Sequence, residues 1–284
     1  MFTPAHKSFF DTFGYLVVPG LVRDRIGMIC DEFEAVFRSR QDVVHDGSQR
    51  TMFPASFVDS SAGLCTLLDH PGIVALSDAM LGEGWAYSGG DGNLYAGDTG
   101  WHSDLIPVSE EGIRFKTGVL WAKIAFYLDP IDRESGALRV IPGSHRMTET
   151  FGRQLHERLQ MTGSDRSFGI DGREVPSVAL DSQPGDVVIF NHLIKHAAYG
   201  GGKRRRMFTM NLFERCRTEE QRELNRGVLD FYADEGCEGF FSETMLKTAS
   251  PARMKHLEHA LEFVPAMAAR ARAKKAREAL VPTG

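Results

Sequence analysis

Residues 184–196 have the sequence PGDVVIFNHLIKH, in which a Pro-Gly-Asp turn leads into an apolar run and then to a histidine. Short runs of β-branched and aromatic residues that follow a turn predict a buried β-strand. A second run of this kind, RRRMFTMNLF, occupies residues 204–213 and begins with three arginines. Both segments predict strands of a β-rich core.

The same pattern extends outward from these segments through the middle of the chain. Short β-rich runs separated by Gly, Pro, Asp or Ser are typical of a sandwich or jelly roll. The predicted strands are 85–87, 93–96, 119–128, 137–141, 175–180, 186–190 and 207–213, with an early strand at 15–18. Helices are predicted at 4–13, 23–40, 71–81, 219–232 and 251–280.

These elements predict one domain that is mainly β, with flanking α-helices. N-terminal helices occupy residues 1–83, the jelly-roll core about 84–216, and a helical segment about 217–284. At 284 residues the chain is long enough for one substantial core.

Composition excludes several classes of function. The net charge of −5 and the ordinary 42% of hydrophobic residues give no sign of nucleic-acid binding. We find neither a signal peptide nor a run of apolar residues long enough to cross a membrane. Four scattered cysteines without a CxxC pair suit reduced thiols in a cytoplasmic protein. We therefore expect a cytoplasmic protein with no nucleic-acid or membrane partner.

A His-x-Asp pair lies upstream, in TGWHSD at residues 99–104. Residues two apart in a strand point to the same face, so His102 and Asp104 converge if that segment is extended. With a distant histidine they form the 2-His-1-carboxylate set that holds non-haem Fe(II) and leaves positions open for a cosubstrate and O2. His192 and His196 have the same strand parity, so spacing alone leaves both as the second histidine.

The arginine run suits a dicarboxylate cosubstrate. A guanidinium pairs with a carboxylate through two parallel hydrogen bonds. Arg204 and Arg206 share one strand face, and Arg205 takes the other. Together with the His/Asp set, an arginine about ten residues after the distal histidine predicts an Fe(II)- and 2-oxoglutarate-dependent oxygenase.

These segments resemble the phytanoyl-CoA dioxygenase family of Fe(II)/2-oxoglutarate oxygenases. The resemblance covers roughly residues 9–213 and leaves the C-terminal helices outside. It rests on FDTFGYLVVPGLV (10–22), WHSD (101–104), ESGALRVIPGSHR (134–146), PGDVVIFNHLIKH (184–196) and RRRMFTMNLF (204–213).

The resemblance implies a double-stranded β-helix core, cupin-like in form, and a set of roles. His102, Asp104 and His196 correspond to the iron ligands, which selects His196 over His192. Arg206 corresponds to the cosubstrate arginine, with Arg205 or Arg204 as the alternative if the register slips. Ala198 stands where many relatives carry a hydroxyl residue that helps to hold the cosubstrate.

Further pocket residues follow from the resemblance and the composition. Lys123 is a candidate to contact 2-oxoglutarate or an acidic substrate, and Asn93 and Thr99 are candidates for the same pocket. Trp101 and Trp121 suggest an apolar substrate site.

The implied reaction uses O2 and 2-oxoglutarate and releases succinate and CO2. A small metabolite or natural-product intermediate would be hydroxylated, desaturated or cyclised. Because Asp104 is retained, halogenation is disfavoured.

Two other functions remain open from the sequence. One is a jelly-roll protein that binds a ligand without redox chemistry. The other is a metal-dependent hydrolase or isomerase with zinc at the same ligands. The C-terminal helices are expected either to cover the pocket mouth or to form a homodimer contact.

Overall fold

Two antiparallel β-sheets pack against each other at the centre of the fold. The structure is a computed structural model that describes residues 1–40, 44–105, 108–109, 112–113, 116, 118–159 and 164–278. Its strands are β1 (Tyr15–Val18), β2 (Thr51–Phe53), β3 (Ala86–Tyr87), β4 (Gly92–Tyr95), β5 (Thr99–His102), β6 (Val108–Ser109), β7 (Gly112–Ile113), β8 (Trp121–Tyr127), β9 (Leu138–Val140), β10 (Val178–Leu180), β11 (Val187–Asn191), β12 (His196–Ala198) and β13 (Arg205–Phe213).

The larger sheet has seven strands in the order β1-β11-β8-β13-β4-β2, and β3 also pairs with β13. The smaller sheet has four strands in the order β10-β9-β12-β5. β6 and β7 form a separate two-stranded ribbon. Mainly antiparallel sheets with flanking helices confirm the predicted fold class.

Helices precede, interrupt and follow the sheets. They are α1 (Pro4–Phe13), α2 (Ile26–Ser39), α3 (Ala62–Cys65), α4 (Pro71–Leu81), α5 (Thr150–Arg158), α6 (Ser164–Phe168), α7 (Glu219–Asp234), α8 (Glu243–Thr248), α9 (Pro251–Met254), α10 (Glu258–Leu261) and α11 (Val264–Glu278).

The two faces of β8 belong to different cores. Ile124 and Phe126 pack in a cluster with residues of α2, α3 and α4, and the Phe126 ring stacks on Phe208 with centroids 4.5 Å apart. Ala125 and Tyr127, on the other face, pack in a cluster with Leu138 of the smaller sheet. Side chains that alternate along a strand explain both contacts. The space between the two sheets is therefore lined by the odd-numbered residues of β8.

The C-terminal segment packs at the end of β8 and β13. Trp121 and Phe213, stacked with ring centroids 4.7 Å apart, lie in one cluster with Val228 of α7 and Met267 of α11. We predicted a single helix over 251–280, and the structure instead has α9, α10 and α11. Pro265 explains the last break, because proline fits the first turn of a helix but not its interior. Leu280 lies outside the described residues.

No single helix among the described residues is long and apolar enough to cross a membrane. Two helical segments, Ala62–Asp69 and Pro71–Leu81, together have the length and composition of a membrane span, but they are bent by 54° relative to each other.

Candidate active site

Three side chains meet between the sheets, two of them from a His-x-Asp pair and the third from a histidine 94 residues after the first. β5 and β12 pair antiparallel with His102 directly opposite His196, and the two rings lie 4.1 Å apart between centroids. Asp104 follows β5, and its Oδ1 is 3.9 Å from His196 Nε2. One ligand atom from each of His102, Asp104 and His196 lies within 4.8 Å of the others. The geometry suits a single metal ion bound by all three.

Hydrogen bonds orient both histidines for this role. His102 Nδ1 donates to the carbonyl of Gly100 at 2.8 Å, and His196 Nδ1 donates to the carbonyl of Ile194 at 3.0 Å. A ring nitrogen that donates to a carbonyl leaves Nε2 deprotonated and free to bind a metal. Burial lowers the pKa of His102, and it lowers the pKa of His196 to about 3. Both imidazoles are therefore neutral, as metal ligands must be.

Asp104 supplies the negative charge of the group. Lys123 Nζ donates to Asp104 Oδ1 at 3.0 Å, whereas Oδ2 is buried and has no hydrogen-bond partner among the described residues. Burial alone would raise the pKa of Asp104, but Lys123 and the nearby histidines together outweigh it and hold that pKa well below its usual range. The carboxylate is ionised, and its unpaired oxygen fits a cation. Two free Nε2 atoms and this oxygen are the donor set that iron(II) requires.

His192 takes no part in this group. It is 1% exposed, and its ring packs edge-on against Trp121 with centroids 5.8 Å apart. Burial lowers its pKa to about 4, so His192 is a neutral core histidine. The geometry thus favours His196 over His192, the alternative that strand parity left open.

The arginine that faces the site is Arg205. Arg206, which the resemblance indicated, points away from the space between the sheets. Its guanidinium pairs with Asp129, and its Nη1 lies 3.2 Å from Glu34 Oε1. Arg205 is 5% exposed and lines the same cavity as His102 and His196. Arg205, the alternative given above, therefore faces the cavity in place of Arg206.

The Arg205 guanidinium lies in a site shaped to fit it. Its central carbon lies 4.9 Å from the centre of the Tyr95 ring, a cation–π contact. A Cβ on Gly136 would come within 1.5 Å of Arg205 Nη1, and one on Gly201 within 2.5 Å. These glycines therefore make room for the charged group. Arg205 Nε and Nη1 are buried with no hydrogen-bond partner in the described part of the chain.

A cavity of about 210 Å³ joins Arg205 to the His/Asp group, and we call it the arginine cavity. Thr99, Ala198 and Tyr127 are among the residues that line it. Lys123 lines it too, but its ammonium is engaged by Asp104. Asn93 lies behind the wall, where it accepts a hydrogen bond from Arg50 Nε at 2.7 Å.

A second cavity, of about 230 Å³, adjoins the first, and we call it the tryptophan cavity after Trp121. The two share four lining residues, which are Met52, Asp91, Asp104 and Lys123. Trp101 contributes to neither. It is 2% exposed in a separate cluster, and its indole N–H donates to the carbonyl of Gly172 at 2.9 Å. Of the two predicted pocket tryptophans, the structure brings only Trp121 to the site.

The sequence profile of the phytanoyl-CoA dioxygenase family matches residues 10–207, which is more than half of the chain. The chain belongs to the phytanoyl-CoA dioxygenase family. This phytanoyl-CoA dioxygenase family member is an Fe(II)- and 2-oxoglutarate-dependent enzyme. The match ends inside β13, so α7 to α11 lie outside it.

Solved structures share the fold of this family member at low sequence identity. SnoN, a non-haem α-ketoglutarate-dependent epimerase from nogalamycin biosynthesis, is 16% identical with a TM-score of 0.55, covering 74% of this chain and 81% of its own. SnoK, a carbocyclase from the same biosynthesis, is 18% identical with a TM-score of 0.56 over 75% and 84%. HygX from Streptomyces hygroscopicus, solved with nickel, 2-oxoglutarate and hygromycin B, is 19% identical with a TM-score of 0.56 over 75% and 87%. No curated protein matches the chain.

Proposed function

We propose that this chain oxidises a small natural-product intermediate at an iron centre held by His102, Asp104 and His196, with 2-oxoglutarate bound to Arg205. One observation carries the proposal: the three ligand residues line a cavity that also contains the buried Arg205 guanidinium, whose Nε and Nη1 have no hydrogen-bond partner among the described residues. A buried arginine with free N–H groups is costly unless an anion joins it. Metal ligands and an anion site in one cavity are what a metal-chelating dicarboxylate needs.

The chain's own residues divide the work of binding. Nε2 of each histidine and Oδ2 of Asp104 would hold the metal. Nε and Nη1 of Arg205 would donate to the far carboxylate of 2-oxoglutarate as a charge-assisted pair. When bound, iron(II), O2 and 2-oxoglutarate supply the oxidation of a substrate C–H bond, with release of succinate and CO2.

Tyr127 takes the place of the hydroxyl that Ala198 lacks. Its side chain lines the arginine cavity and is 4% exposed. On β8 it shares a face with Lys123, two positions back. A phenol hydroxyl at this position can donate to the far carboxylate of 2-oxoglutarate, to which Arg205 would also donate.

Lys123 balances charge at the opposite end of the cavity. Burial alone would lower its pKa, but Asp104 and Asp91 outweigh burial and hold that pKa above its usual range, so the ammonium keeps its charge. It positions the Asp104 carboxylate by binding Oδ1 and leaving Oδ2 to the metal. We therefore propose Lys123 as a positioning residue and not as a direct partner of 2-oxoglutarate.

The structural neighbours support a small-molecule substrate. SnoN and SnoK are enzymes of nogalamycin biosynthesis, and HygX was solved with hygromycin B bound. Hydroxylation is our expected outcome for this chain, and desaturation, cyclisation or epimerisation would need the same metal and cosubstrate groups.

Anaerobic titration of the apo-protein with Fe(II) and 2-oxoglutarate tests the proposal through the visible metal-to-ligand charge-transfer band. We expect the band in the wild type and in His192→Ala, and its loss in His196→Ala. His192→Ala is the matched control because it removes a neighbouring buried imidazole from the same chain segment. A wild type that binds metal without the band would contradict the proposal and favour a non-redox ligand-binding protein. Succinate formation that depends on O2 would exclude both that function and a zinc hydrolase.

A further inference from the structure

The tryptophan cavity is closed by a part of the chain that lies outside the family match. Tyr232 near the end of α7, together with Cys237 and Phe240 in the following loop, forms one wall. Phe240 is 5% exposed and belongs to the same cluster as Trp121 and Phe213, which ties this wall to the sheet. Of the two roles expected for the C-terminal segment, covering the pocket is therefore the one its contacts support.

The floor of this cavity offers hydrogen-bonding groups that the protein leaves free. Asn211 on β13 lines it, and Asn211 Oδ1 is buried without a hydrogen-bond partner in the described part of the chain. Tyr232 also lines it, with its ring 5.9 Å from that of Trp121 between centroids, and its phenol hydroxyl is a further hydrogen-bonding group of this cavity. Ser88 lines the cavity too, but its hydroxyl already donates to the backbone carbonyl of Asn211 at 3.2 Å. A buried polar atom normally has a partner, so Asn211 Oδ1 points to a ligand that donates to it.

The charged side chains in the same cavity already have partners of opposite charge. Lys123 is the one cationic side chain among its described lining residues, and it is bound to Asp104. Asp91 is the other ion on the floor, and Arg50 Nη2 approaches its Oδ2 at 3.3 Å from the neighbouring arginine cavity. With two carboxylates against one engaged ammonium, an acidic ligand would find no free cation to pair with.

The remaining walls are apolar and largely aromatic. Trp121 and Phe240 face the cavity, and Met52 and Pro54 line it from β2 and the residue after it. Aromatic surfaces pack well against the carbon–hydrogen face of a saturated ring. The volume of about 230 Å³ suits an occupant of about one ring unit.

We propose that the tryptophan cavity is the substrate chamber and that it accepts a hydroxylated ring without acidic groups. The ring hydroxyls hydrogen bond to Asn211 and Tyr232, and its carbon face packs on Trp121 and Phe240. Because Asp104 lines both cavities, a ring held here lies next to the metal group. This inference rests on the proposed function, and it names the substrate class and the C-terminal wall that selects it.

A matched ligand series tests the substrate class by isothermal titration calorimetry on the nickel- and 2-oxoglutarate-loaded protein, which binds without turning over. The probes are methyl glucoside and myo-inositol as hydroxylated rings, glucuronate as the acidic counterpart, and octanoate as an apolar acid. We expect a hydroxylated ring to bind at least tenfold more tightly than either acid. Tighter binding of glucuronate or octanoate, or no binding of either hydroxylated ring, would overturn the inference.

Two variants test the residues. Tyr232→Phe should weaken ring binding about five- to tenfold, the value of one hydrogen bond of about 1 kcal/mol or slightly more. Tyr199→Phe is the matched control, since Tyr199 lines neither cavity, and should leave ring binding unchanged. Cys237→Trp should fill the chamber and block ring binding. Equal affinity in Tyr232→Phe, or full ring binding in Cys237→Trp, would contradict this arrangement.

Binding of 2-oxoglutarate is measured in the same samples, and it separates this inference from the proposed function. If the wild type fails to bind 2-oxoglutarate, the proposed function fails. If 2-oxoglutarate binds normally and acids displace the hydroxylated rings, only the substrate class fails.

Discussion

Replacement of Arg205 by methionine is the sharpest test of which of the two adjacent arginines binds 2-oxoglutarate. Methionine keeps the length and apolar stem of the side chain and removes every donor. Arg205 has two buried N–H positions, Nε and Nη1, that lack partners among the described residues. Hydrogen bonds to charged groups contribute about 1.5–3 kcal/mol each. Two of them amount to about 3–6 kcal/mol, so we expect Arg205→Met to weaken 2-oxoglutarate binding by roughly 10² to 10⁴-fold.

Arg206→Met is the control for this experiment. It removes the same charge one position away but breaks ion pairs with Asp129 and Glu34, which lie at the partly exposed outer side of the sheet. Such pairs contribute about 1 kcal/mol or less to stability. We expect 2-oxoglutarate affinity in Arg206→Met to stay close to that of the wild type. Calorimetry with the nickel-loaded variants measures both affinities, and a large loss in Arg206→Met with none in Arg205→Met would restore the register that the family resemblance implied.

Three further predictions concern charge, space and pH. Lys123→Met leaves the buried Asp104 carboxylate without its cation, so the free energy of unfolding of the apo-protein should fall by about 3–5 kcal/mol in urea titrations. Nickel should recover much of that loss because the metal becomes the counter-charge; equal losses with and without nickel would contradict this. Gly136→Ala places a Cβ where Arg205 Nη1 lies, so 2-oxoglutarate affinity should drop although the strain at φ +95° costs only about 1–3 kcal/mol. Unchanged affinity in a folded Gly136→Ala protein would show that Arg205 does not bind the cosubstrate. Burial raises the pKa of Asp59 to about 6, against the hydrogen bonds from Tyr87 and Ser242. Between about pH 4 and pH 6 the folded state therefore holds a proton that the unfolded state has lost, and this group makes the protein less stable as pH rises. Relative to Asp59→Asn, the wild type should lose about 3 kcal/mol across that window in chemical denaturation series, and parallel pH profiles would refute the assignment.

Elements with strong periodicity were predictable from the sequence. The predicted bounds of α1 and α4 agree with the structure, because each begins at a proline, carries its apolar residues on one face, and ends at a glycine. The strands that carry the metal ligands were not predicted. β5 (TGWH) and β12 (HAA) are four and three residues long, too short and too polar for an alternating pattern to be recognised.

The arginine register shows a signal that was present and missed. In RRRMFTMNLF the apolar residues Phe208, Met210 and Leu212 alternate, and all three pack toward the helices. Their parity places the odd-numbered residues on the opposite face, toward the smaller sheet. Extending that alternation back to the arginines selects Arg205. Strand parity therefore predicts the inward arginine better than the family resemblance, which indicated Arg206.

Other residues could not be predicted because their positions depend on tertiary packing. Trp101 and His102 are neighbours in β5, and alternation along the strand sends the indole to a separate cluster while the imidazole reaches the cavity. Tyr232, Cys237 and Phe240 follow the family match in sequence, and only the packing of α7 against Trp121 brings them over the site. The cytoplasmic location and the homodimer stay predictions.

The position of the arginine cavity between two sheets has a mechanical consequence. His102 and His196 belong to the four-stranded sheet, whereas Arg205 and Lys123 belong to the seven-stranded one. A dicarboxylate bound to metal at one end and to a guanidinium at the other would link the two sheets non-covalently. Loss of 2-oxoglutarate would remove this link between the sheets. The amide hydrogen exchange of β5 and β12 should therefore be slower with 2-oxoglutarate bound than without it.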